Sequence, residues 1–544
     1  MFMSSTARPT RDLLAATALF AMLTAVMMWP QVRHFRDSAV PHQDVYFNMW
    51  RLQWIAHALA TSPRDLFNGN IFYPEPRTLL FSDAMLVQGF VAAPLIWLAA
   101  PPVFVHNLLL LGAIVCSAAA MFALVRHLTG SRGAALLAGT IFAFAPYRFE
   151  HIMHMELQWT MWMPAAFLAM HRTFDRGRMR DGLATGAAVV LQMLSSIYYG
   201  VFLATLLAIS GLLLPLGENW TTVRRAIRPL VVGAVLAAAL VGLYARPYLQ
   251  ARDRVGERST GEVRVFAARP GDYLITPREN WLYGPLQKRG EPERRLFPGA
   301  IPILLAAVAL LLRVPSRPIV LYVVIAVAAF EASMGFRGYS YSFLHEHVKA
   351  FHALRAPARL GIFVVFALAV LAGFGYTFLA ASLRARGRLI LLLALLTGVL
   401  GEFFTTVQLV AYPNTAPPVY RLLATLPPGV VAEFPMPKVK SLPGQDARYS
   451  YLSTFHWKPL VNGYSGFYPP TYIQRLVDVR WFPEPFSLRV LERANVRYIV
   501  VHESGYADYD VYEQTLSALE LAEGLRNIGT YSDGEGHATV YTFR

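Results

Sequence analysis

The segment Tyr147–Glu156 holds two histidines and two carboxylates, the side chains that most often bind metal ions and phosphates. Glu150, His151, His154 and Glu156 all fall within this short stretch. On a helix, His151 and His154 would share one face, and Glu150 and His154 another. Imidazole and carboxylate at this spacing can bind one divalent ion, with Glu150 and His154 as its ligands, or bind a phosphate. The alternative is that the histidines only hydrogen-bond to lipid headgroups, water or neighbouring side chains.

Two arginines in the run His352–Arg359 have a spacing suited to binding an anion. Arg355 and Arg359 are separated by Ala-Pro-Ala. Guanidinium groups bind phosphate oxygens bidentately and stabilise negative charge on a leaving group. The alternative is that both side chains extend to ordinary anionic headgroups.

A third group lies near the carboxyl terminus, where Thr454–Gly466 mixes aromatic residues, glycines, a histidine and a lysine. The Asn-Gly and Ser-Gly pairs are turn signals, so a purely structural loop is one interpretation. Binding pockets also use aromatic rings and tyrosine hydroxyls to orient their ligands. On that second interpretation His456 or Tyr464 covers a binding site.

The elements that must position these residues are long apolar segments. The chain has 544 residues, of which 55% are hydrophobic and 15% charged, and this composition is typical of a membrane protein. A segment of about 20 apolar residues spans a bilayer. The single cysteine, Cys116, excludes a disulfide framework. We predict about eleven spans, at residues 13–30, 103–125, 133–146, 157–173, 183–198, 199–216, 229–247, 298–313, 318–334, 360–380 and 388–411.

Arginines recur in every second loop, and this recurrence predicts the orientation. Short loops rich in arginine mark the cytoplasmic side of a membrane protein. The net charge of +15 therefore reflects orientation, and no nucleic-acid partner is expected. An odd number of spans, starting from a cytoplasmic N-terminus in the inner membrane, places residues 412–544 outside. The arginines are Arg8, Arg11, Arg126, Arg132, Arg172, Arg176, Arg178, Arg180, Arg224, Arg225, Arg228, Arg313, Arg317, Arg384, Arg386 and Arg388.

The predicted organisation has two domains. Residues 1–411 form the membrane domain, with a long first outer loop at 31–102, and residues 412–544 form an extracytoplasmic α/β or α+β domain. Within the loop, Met85–Ala100 is apolar but is interrupted by Gln88, Gly89 and Pro94. A full span there would invert every later loop, so we predict a re-entrant or membrane-surface helix.

Asp44 precedes a segment with helical periodicity, Val45–Leu59, in which Phe47, Trp50 and Trp54 share one face. Tryptophans on an amphipathic helix suit the headgroup layer. We therefore expect a helix lying flat on the outer surface, with Arg51 extending to water from its apolar side. A carboxylate at headgroup height can act as a general base, taking a proton from an acceptor. The alternative is that Asp44 is the helix N-cap.

The whole arrangement resembles that of bacterial members of the GT-C superfamily. A first span, a long outer loop with an early acid, many spans and an outer C-terminal domain are shared with protein O-mannosyltransferases and aminoarabinose transferases. The resemblance implies a polyprenyl-phosphate sugar donor. It also implies that Asp44, at the matching position, is the catalytic base or helps to bind the acceptor or a metal ion. Many members have two adjacent acids at that point, whereas this chain has Gln43 and Asp44. It also implies that Glu150 or Glu156 assists metal or donor phosphate binding.

We therefore predict a glycosyltransferase acting outside the cytoplasmic membrane, in contact with membrane lipids and with a divalent metal ion as an optional cofactor. The acceptor and the sugar are not readable from the residues. A transporter or flippase for a lipid-linked sugar is the alternative from another class, and a non-catalytic member of the same architecture is a third. Transporters concentrate ionisable groups at mid-membrane, and here those groups are few, chiefly Glu402 and Glu331.

Overall fold

A computed structural model describes residues 7–256, 258–286, 290–311 and 316–543. Arg313, one of the predicted cytoplasmic arginines, lies outside the described residues, as does the side chain of Arg8. The chain divides into two compact units. The first contains Met1–Arg33, Leu108–Tyr244 and Glu257–Gln408, and the second contains His34–Asn107, Ala245–Gly256 and Leu409–Arg544.

The first unit is helical. Each of the eleven predicted spans overlaps one helix longer than ten residues, because the apolar runs that favour a membrane also contain few helix breakers. The helices that lie wholly or mainly in this unit are Ala7–Met27, Trp29–Arg33, Pro102–Thr129, Arg132–Phe144, Pro146–Glu150, Met155–Gln158, Trp162–Arg176, Met179–Ser195, Ile197–Leu213, Trp220–Val255, Thr260–Val265, Ala300–Leu311, Arg317–Ser333, Ser340–His347, Gly361–Ala381 and Ala385–Phe403.

Among the described residues, four helical segments are long and apolar enough to cross a membrane. They are Thr10–Met27, Pro102–Thr129, Trp220–Arg252 and Pro357–Ala381. Ile197–Leu213 and Ala300–Leu311 are apolar but shorter. The chain is thus a membrane protein by its helices, and the count of about eleven spans stays a prediction.

Gly361–Ala381 lies at the centre of the first unit. Most of its side chains are buried, and it packs against Arg132–Phe144, Ala300–Leu311 and Arg317–Ser333. Small residues allow such close packing of membrane helices. At Gly375, for example, an added Cβ would collide with the backbone carbonyl of Leu305.

Ion pairs join the predicted cytoplasmic loops of the first unit to one another. Arg132 Nε lies 2.7 Å from Asp12 Oδ2, and His127 Nε2 lies 2.8 Å from Asp175 Oδ2. Arg317 likewise pairs with Glu218. We call this set of loops the arginine-rich end.

A second set of ion pairs joins loops that were predicted to face outside. Glu150 pairs with Arg295, and Glu262 pairs with Arg355. Helix Arg132–Phe144 begins in the first set of loops and leads directly into Pro146–Glu150 of the second set. The two sets therefore lie at opposite ends of this unit, as alternation of the loops requires.

The second unit combines helices with a four-stranded sheet. The helix Leu86–Trp97 packs on Gln43–Thr61, and the close approach at Gly89 places Ile55 against its backbone. Its 12 residues span about 18 Å, short of a bilayer crossing. The other helices are Pro418–Thr425, Asp446–Leu452, Pro470–Asp478, Pro485–Arg493 and Tyr509–Glu520.

The four-stranded sheet contains the strands predicted near the carboxyl terminus. Its order is Val430–Phe434, Val496–His502, His537–Phe543 and Leu525–Ser532. The first pair is parallel and the other two pairs are antiparallel, so the sheet is mixed. A separate two-residue ladder pairs Ser38–Ala39 with Val410–Ala411. The predicted domain boundary at 411 and 412 stays a prediction.

The sheet packs against helices to form an apolar core. Ile499 and Val501 project from the central strand into this core, where Leu491 and Tyr512 from two helices meet them. Residues Tyr498–Val501 are buried on both faces of the strand, which fits a short continuous run of aromatic and β-branched residues. The run was therefore readable as a strand from sequence.

Candidate functional site

Asp44 lies in the first turn of the helix Gln43–Thr61, which His42 caps through its imidazole. His42 Nδ1 accepts a hydrogen bond from the Asp44 backbone N–H at 3.1 Å. The alternative of Asp44 as N-cap is therefore wrong. The Asp44 side chain is instead directed to another group: Tyr464 Oη donates to Asp44 Oδ1 at 2.7 Å. The carboxylate is 15% exposed.

Tyr464 is held over this helix by an aromatic contact as well as by the hydrogen bond. Its ring packs edge-on against Phe47, with ring centroids 5.2 Å apart. Two of the predicted site residues, which are far apart in sequence, are thus in direct contact. We call Asp44 and Tyr464 the aspartate–tyrosine pair.

The surface-helix prediction for residues 45–59 is wrong in one respect, because this helix is buried on most of its faces. Trp50 is fully buried, and its indole N–H donates to Asn70 Oδ1 at 3.0 Å. Arg51 does not extend to water. Its guanidinium donates to the Asp83 carbonyl at 2.7 Å and lies 4.4 Å from the centroid of the Phe47 ring.

His456, the other predicted residue of the tail loop, has a structural setting. Its Nδ1 accepts a hydrogen bond from the Lys458 backbone N–H at 3.0 Å, and its ring lies parallel to that of Tyr420. Burial lowers the pKa of His456 to about 3, with a small contribution from Lys458, so the imidazole is neutral at physiological pH. The structure gives His456 no contact with the aspartate–tyrosine pair.

In the first unit, His151 and His154 come together with a residue that sequence analysis did not select, Glu293. One ligand atom from each lies within 4.8 Å of the others, and we call these three residues the histidine–glutamate cluster. The segment between the two histidines is a turn, so the spacing considered for a helix does not apply to them. His151 is 2% exposed, and its Nε2 has no hydrogen-bond partner among the described residues.

The charges around this cluster keep its groups ready to bind a cation. Burial lowers the pKa of His151 to about 3, so its ring is neutral and has a lone pair available. Burial alone would raise the pKa of Glu293, but the charge of Arg359 and its hydrogen bond outweigh burial and hold that pKa well below its usual range. Glu293 is therefore ionised.

Glu150 is not the carboxylate of this cluster, which corrects the prediction that paired it with His154. Both of its oxygens accept from Arg295 Nη1, at 3.0 and 2.9 Å, in a buried ion pair. Burial raises the pKa of Glu150, and Arg295 partly opposes that rise. Glu156 lies closer to the cluster, with Oε1 4.0 Å from His154 Nδ1.

The two predicted phosphate-binding arginines differ in their surroundings. Arg359 is 5% exposed, donates to Glu293 and stacks on Tyr198, so it does not extend to headgroups. Arg355 is half-exposed. Its Nη1 lies 3.5 Å from Glu262 Oε1, while Arg258 lies 3.1 Å from the same oxygen. Two arginines thus contact the same carboxylate oxygen.

Sequence reasoning missed the partners contributed by residues 248–297. Glu262, Glu293 and Arg295 all lie in this polar loop. The only signal for them was its many charges, whose arginines counted against the predicted orientation. In the structure, each of these three residues forms an ion pair with a residue of opposite charge on another loop.

Comparison with known proteins identifies the fold. No family model matches this sequence, and no curated protein matches it. Among solved structures, the arabinofuranosyltransferase AftD from Mycobacteria is similar over 98% of this chain, with a TM-score of 0.66 and 14% sequence identity. This chain spans only 41% of the length of AftD. An oligosaccharyltransferase from Archaeoglobus fulgidus, solved with zinc and sulfate, aligns over 97% of this chain and 73% of its own, with a TM-score of 0.44 and 14% identity. The fold of this chain is similar to that of AftD, a similarity that supports the GT-C-like fold predicted from sequence.

Proposed function

We propose that this protein transfers a sugar from a polyprenyl-phosphate donor to an acceptor outside the cytoplasmic membrane. An acceptor hydroxyl attacks the anomeric carbon, the bond from that carbon to the phosphate oxygen breaks, and polyprenyl phosphate leaves. The acceptor proton passes to Asp44 as general base. AftD is named an arabinofuranosyltransferase, which makes a pentose the first donor to test.

The aspartate–tyrosine pair is the observation that carries this proposal. The Asp44 carboxylate accepts a hydrogen bond from the Tyr464 hydroxyl at 2.7 Å. This hydroxyl orients the carboxylate, and His42 Nδ1 lies 3.3 Å from its other oxygen. A carboxylate that is oriented in this way and is 15% exposed can be reached by an acceptor hydroxyl and can take its proton.

The arginines of the first unit supply the phosphate-binding part of the proposal. Arg355 and Arg258 both lie against Glu262, and guanidinium groups clustered in this way bind phosphate oxygens well. Arg355 also lies over Phe266, 5.3 Å from the ring centroid, which fixes its guanidinium plane. Arg359 is committed to Glu293 and serves to position that glutamate.

The histidine–glutamate cluster fits a divalent metal ion. Two imidazoles and an ionised carboxylate form a donor set that zinc and manganese accept, and the buried His151 Nε2 lacks any other described partner. A bound ion would neutralise charge on a phosphate. His151→Ala should abolish binding of Zn²⁺ to the purified full chain in isothermal titration, whereas His347→Ala, an exposed control, should not.

The test of sugar transfer compares two aspartates of the same unit. Asp44→Asn should lower transfer from a radiolabelled polyprenyl-phosphate pentose by about 100-fold or more, because it removes the base. Asp65→Asn, at an exposed position in the same loop region, should leave transfer unchanged. Unchanged transfer by Asp44→Asn, with both proteins equally folded, would contradict the proposal.

The transporter alternative loses its main support in the structure. Glu402 accepts hydrogen bonds from the backbone N–H of Ala300 and Ile301, the first residues of a helix, and from Tyr283. Glu331 binds the backbone of Ser340 at the start of another helix. Both carboxylates therefore cap helix N-termini, which is a structural role.

A further inference from the structure

A basic pocket lies at the arginine-rich end of the first unit, where Pro102–Thr129 ends and Arg132–Phe144 begins. It has a volume of about 530 Å³. The polar residues that line it and carry the argument are Arg126, Thr129, Ser131, Arg132, Tyr376 and Arg388. None of them belongs to the groups assigned above to sugar transfer.

The pocket carries more positive than negative charge. Asp12 is the one carboxylate in contact with its arginines among the described residues: Arg132 Nε lies 2.7 Å from Asp12 Oδ2, and Arg126 Nη2 lies 3.8 Å from it. Arg388 contacts no carboxylate in the described part of the chain. Three cations and one anion leave a net charge of about +2 at the pocket.

Backbone groups hold Arg388 so that its guanidinium remains available. Its Nε donates to the carbonyls of Ala380 and Leu383, at 3.1 and 2.8 Å, at the end of helix Gly361–Ala381. These carbonyls carry the partial negative charge of a helix C-terminus, which attracts a cation. The two terminal nitrogens of Arg388 are left to bind an anion, and a guanidinium fork suits a phosphate.

The opposite wall of the pocket offers backbone donors. Ser131 caps the 13-residue helix Arg132–Phe144, with its Oγ accepting from the Ala134 N–H at 3.3 Å. The remaining N–H groups of that first turn lie beside the arginines of the pocket. Helix N-termini favour anions, so this wall adds to the attraction of the arginines.

Exposed apolar side chains continue from the pocket along two helices. Directly after Arg388, Leu389, Ile390 and Leu393 are 56%, 68% and 54% exposed. Directly after Asp12, Leu14 is 66% exposed. A free phosphate needs no such surface, whereas the acyl chains of a lipid would cover it.

We propose that this pocket binds the phosphate headgroup of an anionic phospholipid, whose acyl chains lie along the exposed faces of Ala7–Met27 and Ala385–Phe403. The site is on the predicted cytoplasmic side, where arginine-rich pockets between helices meet anionic headgroups. The lipid would tie together three loops that are distant in sequence. This site is separate from sugar transfer and does not depend on it.

The test measures lipid retention by the purified full-length protein in native mass spectrometry, after incubation with phosphatidylglycerol or with phosphatidylcholine of the same acyl chains. The wild type should retain phosphatidylglycerol selectively. Arg132→Gln and Arg388→Gln should each lower its affinity about fivefold. Arg386→Gln, an exposed arginine of the same loop that does not line the pocket, should have no effect.

A variant with the opposite expected effect on lipid affinity keeps the test decisive if an arginine variant folds poorly. Asp12→Asn removes the single paired carboxylate, so it should raise the affinity for phosphatidylglycerol. Equal losses for Arg386→Gln and Arg388→Gln would show a general surface-charge effect and overturn the proposal. Full displacement of phosphatidylglycerol by excess inorganic phosphate would show a free-phosphate site and overturn the lipid assignment.

Discussion

At the scale of single residues, the charges buried in the first unit come in pairs contributed by different loops. Glu293 and Arg359 are the clearest pair, with side chains 15% and 6% exposed. A buried ion pair contributes little net stability, but removal of one partner leaves the other uncompensated. The pair therefore positions the histidine–glutamate cluster, and removal of either residue should lower the stability of the folded protein.

Glu293→Gln tests that arrangement. It should lower the free energy of unfolding by about 3 kcal/mol, because Arg359 is left buried without a counter-charge. Glu291→Gln, at an exposed neighbouring position, should change stability by less than about 0.5 kcal/mol. Denaturation in detergent, followed by intrinsic fluorescence, measures both. Addition of Arg359→Met to Glu293→Gln should recover much of the loss, and no recovery would show that the pair is not the cause.

The same pair should make the stability of the folded protein fall at acid pH. The pKa of Glu293 is held well below its usual range, so its contribution is present above the ordinary carboxyl pKa and is lost as the pH falls through the folded-state value. Glu293→Gln should therefore flatten the fall in melting temperature below about pH 4.5.

The aspartate–tyrosine pair makes a second prediction, for the proposed activity. Tyr464→Phe removes the hydrogen bond that orients Asp44 and should lower kcat about tenfold, less than Asp44→Asn does. Tyr509→Phe, with an exposed side chain, is the matched control. In the double variant with Asp44→Asn the tyrosine effect should vanish, since its partner is gone. Independent, additive losses would contradict the assigned role.

At the scale of elements, sequence periodicity predicted helices and strands but not their burial. The apolar face of Val45–Leu59 was readable, whereas the burial of Arg51 and Trp50 was not. Their partners, Asp83 and Asn70, lie far along the chain. A helix that is covered on a second face looks the same in sequence as one lying on a membrane, because polar side chains can be satisfied by a distant carbonyl as well as by water.

The central strand Val496–His502 ends in a buried histidine between two acids. His502 Nδ1 lies 2.8 Å from Asp533 Oδ2, and Nε2 lies 2.8 Å from Glu433 Oε2. Burial lowers the pKa of His502, but the hydrogen bonds and charges of the two carboxylates outweigh it, so the pKa is raised. The raised pKa favours a charged imidazole that holds strands Val430–Phe434 and Val496–His502 to the turn at Asp533.

From the raised pKa of His502, we predict that the folded protein loses stability at alkaline pH. Since the folded-state pKa of His502 is raised, its contribution is complete below the ordinary histidine value of about 6.5 and is lost as the pH rises through the folded value. His502→Gln should lower the melting temperature and remove this alkaline slope between about pH 6 and 9. His537→Gln, 67% exposed, should keep the slope. An unchanged slope in His502→Gln would exclude this histidine as its source.

At the scale of the whole molecule, the alternation of arginine-rich loops predicted which loops meet. Predicted cytoplasmic segments pair with each other, as in Arg132 with Asp12, His127 with Asp175 and Arg317 with Glu218. Predicted outer loops pair with each other as well, as in Glu150 with Arg295 and Glu262 with Arg355. Sequence could not predict which carboxylate meets which cation. Charged residues in loops follow no periodicity that would show which way their side chains point. The contact of Glu293 with the two histidines is therefore known only from the structure.

The last prediction concerns which side of the membrane each set of loops faces. In a Cys116→Ala background, a single Lys440→Cys should react with a membrane-impermeant maleimide on intact cells, because residues 412–544 are predicted outside. Arg386→Cys should react only after the membrane is opened. Both positions are exposed, so access to the reagent depends on the side of the membrane. The reverse labelling would place the aspartate–tyrosine pair in the cytosol, where the proposed transfer to an outside acceptor could not occur.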